Sequence, residues 1–280
     1  MHTLRSPRVA ASYWKFFTVA VLAASSIAGR AAEMPGKSGP PDPGCEGRTA
    51  GLISDVKCYV SAPLRWDGED WIFFGSAVAA VGIAHHYDTG LRDHFTRGSN
   101  ISGGDSSSTD VKDAIPAAGI FAATWLYATV TSDHDGRTES WTMLEAAGFS
   151  SATSYLLKFA AGRERPDATR DPNDWRSGGD SFPSVHSAAA FAIGTVFAES
   201  GNDRYRWVRR VLGYGMAAYT GYARLDHNAH WLSDTVAGAA IGISTAHYVL
   251  RRQYGTTVRG QFAWVPLERG GMLTYNLVLP

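Results

Sequence analysis

Two histidines, three cations, a serine and an aspartate are the residues of this 280-residue chain whose types and spacing can do chemistry together. Residues 179–191 read GDSFPSVHSAAAF. Ser184 follows a proline and precedes a run of small apolar residues, the pattern of a helix N-cap. A helix start exposes unpaired backbone N–H groups and carries partial positive charge, which suits phosphate and other anions. His186 then falls in the first turn, beside such an anion. Downstream, 223–238 read ARLDHNAHWLSDTVAG, with His230 and Asp234 four apart, the spacing of one helix face. A carboxylate so placed holds one imidazole nitrogen and leaves the other to attack. Arg224 stands in the approach to that helix. Upstream, 158–166 read KFAAGRERP. Lys158 closes a helix that Gly162 breaks, and Arg165, ahead of Pro166, is held extended.

Each segment alone has an ordinary reading: a serine cap, a surface His–Asp pair, two cations complementing a helix C-terminus. Together they offer three cations for the three non-bridging oxygens of a phosphoryl group. They also offer two imidazoles, one as nucleophile and one as proton donor, in a scheme that needs no metal.

These residues need a scaffold. Apolar residues make up 45% of the chain, enough for a sizeable core. Basic and acidic residues balance at 26 each, which argues against a nucleic-acid binder held by bulk charge. Apolar stretches predict helices over 71–85, 114–130, 138–160, 184–199, 204–222 and 228–251. Gly238, Ala239, Ala240 and Gly242 let neighbouring helices approach closely. The set predicts an all-α bundle of about six core helices. At the C-terminus, 261–267 and 272–279 flank Glu268, Arg269, Gly270 and Gly271, which predicts a short β-hairpin. The uncharged runs fall short of the roughly 18–20 residues a membrane span needs, and mean hydropathy is −0.15. Both fit the buried helices of a soluble domain; membrane insertion or association is the alternative.

The motifs Lys158…Arg165-Pro166, Pro183-Ser184-Val185-His186 and Ala223-Arg224…His230…Asp234 resemble, in order and internal spacing, the type-2 phosphatidic acid phosphatase superfamily. That group also holds bacterial nonspecific acid phosphatases and vanadium haloperoxidases. The resemblance covers roughly 150–240 and implies a helical phosphatase with no cofactor and no metal. It implies His230 as nucleophile, Asp234 as its orienting partner and His186 as acid and then base. It implies Lys158, Arg165, Arg224, Ser184 and the Val185 amide as the phosphate cradle. The substrate implied is a phosphate monoester or pyrophosphate, on a lipid or a soluble molecule. Two positions depart from the family pattern: Val185 stands for a glycine, and Ala223 for a serine. Valine fits if position 185 has helical φ, although its methyl groups crowd the site. A vanadium-dependent haloperoxidase and a non-catalytic anion-binding protein are the rival readings.

Elsewhere the signals are weaker. His85, His86, Asp88, Asp93 and His94 have metal-like composition without ligand spacing, and read as a polar helix end. The loop 167–181, with Asp171, Asp174, Trp175 and Arg176, reads as a solvated rim. Arg5, Arg8 and Lys15 followed by an apolar run from Phe16 to Ala28 predict a signal peptide over 1–31 and export, in a bacterium to the periplasm. Residues 32–60 read as a flexible leader, 61–253 as the helical domain and 254–280 as an extension. Cys45 and Cys58 are open to a bridge or to two free thiols. Nothing in the pattern speaks to oligomeric state.

Overall fold

The structure is a computed structural model that describes Cys45 and residues 52–66, 68–96, 106–201, 203–254, 261–267 and 270–276. The expected signal peptide and most of the expected leader lie outside the described residues. Contacts divide the chain into two units. The larger holds the helices: α1 Leu52–Val60, α2 Gly68–His86, α3 Asp88–Thr96, α4 Ser106–Val130, α5 His134–Ala161, α6 Val185–Glu199, α7 Arg206–Asp226 and α8 Leu232–Tyr254. The fold is all-α, as expected. The other unit contains an antiparallel hairpin of β1 Gln261–Leu267 and β2 Gly270–Asn276, with Leu267 opposite Gly270.

The buried centre of the bundle is α6. Ser187, Ala188, Ala190–Val196 and Ala198 are all buried, so this helix has no solvent face. Around it pack α4, α5, α7 and α8. Glycines set the closeness of two of these contacts. A Cβ on Gly238 would lie 2.4 Å from the Ser184 carbonyl oxygen, and one on Gly242 would lie 2.3 Å from that of Ala188. On the other side, a Cβ on Gly194 would lie 2.5 Å from the Gly213 carbonyl oxygen. The first turns of α6 therefore sit directly on α8.

The leader ends sooner than expected, because Leu52–Val60 is a helix tied down at three points. Cys58 is buried and bridged to Cys45. The Tyr59 hydroxyl bonds Thr153 of α5 at 3.0 Å and Thr245 of α8 at 2.9 Å. A nine-residue helix is marginal by itself; tertiary contacts hold it. No helix among the described residues is long and apolar enough to cross a membrane. Many large apolar side chains are nonetheless exposed along the bundle, among them Leu156, Phe159, Ile83 and Trp125.

Candidate active site

One end of the bundle gathers the termini of four helices, and local chemistry explains each. Gly162, in the left-handed region at φ 53°, ends α5 and returns its N–H to the Lys158 carbonyl at 2.9 Å. Lys158 is thereby fixed in the last turn, and the chain turns inward to Arg163. The loop beyond folds back on the same helix end. Arg176 N–H donates to the Ala161 carbonyl at 3.0 Å and Ser177 N–H to that of Gly162 at 2.9 Å. The loop is thus a cap on α5, more structured than a solvated rim.

Ser184 is the N-cap of α6, wholly buried, and its hydroxyl accepts from Ser187 N–H. Its own N–H donates to the Asp234 carbonyl at 3.0 Å, which joins the starts of α6 and α8. Val185 is the first helical residue. The non-glycine residues with positive φ among those described are Ser132, Arg176 and Asn228, so valine at 185 sits in a backbone that L residues accept.

Two placements differ from the sequence reading. Arg224 belongs to the last turn of α7, because that helix runs on to Asp226. His230 lies just before α8, which begins at Leu232. Asp234 is in the first turn and accepts Trp231 N–H at 2.8 Å, the reach-back of a capping box. That geometry still brings His230 Nδ1 to 3.7 Å from Asp234 Oδ2. His230 Nδ1 is buried and makes no hydrogen bond.

All eight expected site residues lie at this end. Lys158 Nζ donates to the Asp180 carbonyl. Arg165 grips the Asp180 carboxylate with Nε at 2.7 Å and Nη2 at 2.8 Å. Arg224, wholly buried, donates to Asp113 of α4 at 2.8 Å, and His227 Nδ1 lies 3.1 Å from the same oxygen. Electrostatics join the set. Burial first, then the charges of Arg224, Lys158, Arg165 and His186, push the His230 pKa well below its ordinary value. The imidazole is therefore held neutral, with a lone pair available. Burial lowers Lys158 to about 8, with Asp180 and Asp234 opposing and Arg165 and Arg224 assisting. Arg165 lowers Asp180. Burial raises Asp234, against the pull of Arg163, Ser181 and Trp231.

Several partners escaped the sequence reading. Arg163 is wholly buried and donates to Asp234 Oδ1 at 2.5 Å; its one signal is its place just after the helix-breaking glycine. Ser181 donates to Asp234 Oδ2. Asp88, read as part of a polar helix end, is instead 1% exposed and paired with Arg163 at 2.7 Å. The rest of that cluster gathers no metal site: no group of three or more metal-ligating side chains occurs among the described residues.

Residues 139–257 match the family described as PAP2 superfamily. The chain is 36% identical over 115 residues to a lipid A 1-phosphatase of Porphyromonas gingivalis, covering 39% of this chain and 24% of that one. It is 38% identical over 101 residues to a lipid A 1-phosphatase of Rhizobium johnstonii, covering 34% and 39%. A lipid A 1-phosphatase of Rhizobium etli gives 37% over 101 residues, covering 34% and 41%. The matched stretch thus spans from about a quarter to two fifths of the length of these relatives. No solved structure matches the chain. The segment 139–257, which carries Lys158, Arg165, Ser184, Val185, His186, Arg224, His230 and Asp234, is the part of the chain that matches the PAP2 superfamily.

Proposed function

We propose that this protein is an exported, metal-independent phosphatase that acts on a lipid phosphate through a phosphohistidine at His230. The observation that carries this reading is the buried, neutral imidazole of His230, backed by Asp234 and within the field of Arg224, Lys158, Arg165 and His186. Fixed cations of this kind stabilise the charge on a transferring phosphoryl group. Lys158, Arg165 and Arg224 take its oxygens, and the first N–H groups of α6 complete the cradle. The Asp180 carboxylate now held by Arg165 gives way to the substrate anion.

With Nδ1 turned to Asp234, Nε2 attacks phosphorus while the bond to the leaving oxygen breaks. His186 gives that oxygen a proton. The Nδ1–Asp234 contact tightens as the ring becomes positive, as catalytic contacts do on the way to the transition state. His186 then takes a proton from water, the water oxygen attacks phosphorus, the P–N bond breaks, and inorganic phosphate leaves a neutral His230.

The lipid assignment is supported by the printed activity of the relatives. Leu156 and Phe159 support it as well: they flank Lys158 and are 72% and 87% exposed. Export is supported by the N-terminal sequence pattern and by the Cys45–Cys58 bridge, since such bonds persist in oxidising compartments.

The test is a panel of lipid and soluble phosphate esters with the full-length protein, with and without EDTA. Phosphate release that resists EDTA and is blocked by vanadate is expected. His230→Ala is expected to retain the fold and lose turnover. Turnover of halide and peroxide with vanadate, with no phosphate release from any ester, would reverse the assignment.

A further inference from the structure

Behind Asp234 lies a second buried carboxylate that the phosphate chemistry does not use. Asp88, the first residue of α3, is 1% exposed. The wholly buried Arg163 stands between the two. Its Nη1 donates to Asp234 Oδ1 at 2.5 Å and to Ser233 Oγ at 2.7 Å. Its Nη2 donates to Asp88 Oδ2 at 2.7 Å and to the Pro172 carbonyl at 2.7 Å, and Nε reaches the same carbonyl at 3.0 Å. The rings of Trp175 and Trp231 cover the guanidinium at 4.5 and 5.3 Å. Asp88 also accepts Ser233 N–H at 2.9 Å and the Ser233 hydroxyl at 2.6 Å, so it caps the first turn of the helix that carries Asp234. His85 closes the outer side, with Nδ1 3.0 Å from Asp88 Oδ2 and Nε2 3.0 Å from Asn173 Oδ1.

One guanidinium is shared by two carboxylates, with His85 on the outer side of Asp88, in a dry region where charges are weakly screened. His230 gains positive charge as it takes a phosphoryl group. If Arg163 faced Asp234 alone, that pair would be neutral and would attract the charged ring only weakly. Asp88 draws on the far side of the guanidinium and leaves Asp234 anionic toward His230. We infer that Asp88 is a positioning residue for catalysis, acting through Arg163 on Asp234 and so on His230. This rests on the phosphohistidine reading above.

Asp88→Asn keeps the shape of the side chain and an acceptor for Ser233, and removes the charge. In the full-length protein it is expected to lower kcat by about 10- to 100-fold, the range for a group that orients a reacting residue from one layer further out. KM stays near wild type, and the melting temperature falls, because the amide nitrogen sets a donor against the buried Arg163 Nη2. In an Asp234→Asn background the same substitution is expected to cost nothing more, because residues that act as a unit are non-additive. Wild-type kcat in Asp88→Asn, or fully additive losses, would overturn the proposal. Arg163→Lys keeps the cation but cannot span both carboxylates; it is expected to show the same fall in kcat, and wild-type kcat there would also count against the bridge. If neither variant folds, the network is a requirement of the fold and the proposal fails. Absence of phosphate release by the wild-type protein would sink the phosphatase reading and this one with it; wild-type turnover with no Asp88 effect sinks this one alone.

Discussion

Lys158 offers a quantitative test of the phosphate cradle. Burial, helped by Arg165 and Arg224, lowers its pKa from 10.5 to about 8. At about 1.4 kcal/mol per pH unit, that displacement sets about 3 kcal/mol against the charged form in the empty site. A phosphate dianion among the three cations restores the charged form, so binding takes up a proton above pH 8 or so. Inorganic phosphate is already a dianion there, and its affinity should fall with pH for the protein's sake alone. With the pKa at about 8, the dissociation constant rises about tenfold between the low-pH plateau and about pH 9, by simple protonation equilibrium. Titration calorimetry across this range reads the change directly.

Lys158→Met should bind phosphate weakly, with no slope between about pH 8 and pH 9.5 beyond that of the other groups. The same variant tests the stability side. The folded pKa lies below the unfolded one, so the unfolded chain binds more protons between about 8 and 10.5. The charged lysine therefore costs stability below about pH 8, and the cost is relieved as pH rises through that window. At neutral pH, Lys158→Met should be more stable than wild type by up to about 3 kcal/mol while losing phosphate binding. Flat wild-type affinity across the window, or a Met variant less stable than wild type at neutral pH, would refute the reasoning.

Two further outcomes follow from packing and exposure. Gly238→Ala drives a methyl group into the Ser184 carbonyl oxygen, 2.4 Å from the ideal Cβ position, and that backbone cannot yield; urea unfolding should show a loss of about 1–3 kcal/mol, with kcat falling because the N-cap of α6 moves with it. Phe159→Glu changes a side chain that is 87% exposed, so the melting temperature should hold, whereas hydrolysis of a vesicle-borne lipid phosphate should fall several-fold relative to a soluble ester; an equal effect on both substrates would mean that this surface does not meet lipid.

The parts of the site that the sequence displays are those set by local rules. Gly162 stops α5 just past Lys158, and Ser184 caps α6, because turn and cap chemistry is written in a few neighbouring residues. The small residues of α8 foretold a close contact, and Gly238 and Gly242 make it against α6. What stayed hidden depends on distance along the chain. Asp113 holds Arg224 from α4, 111 residues away in sequence. Asp88 reaches Arg163 across 75 residues. An aspartate that opens a short helix carries no local mark of burial, and the histidines beside it suggest a solvated end. The short helices α1 and α3 fell outside the sequence reading for a related reason: helices of nine residues hold only with tertiary contacts.

That division has a physical consequence for how the charges balance. The cations proposed to meet substrate come from segments whose positions are fixed locally, at helix ends and beside prolines. The carboxylates that hold the site's guanidinium groups are borrowed from elsewhere: Asp113 from α4 for Arg224, Asp180 from the loop for Arg165, and Asp88 with Asp234 for Arg163 behind the site. A buried guanidinium without such a partner is strongly destabilising, so the bundle must close before the site can exist. The closure also separates the pairs by depth. The Arg163 pairs are wholly buried, whereas the Asp180 side chain is 63% exposed. An exposed pair exchanges its partner at little cost, and a buried one does not. On the proposed mechanism, Arg165 is thus the cation whose carboxylate a substrate phosphate displaces most readily, and Arg163 the cation that stays in place.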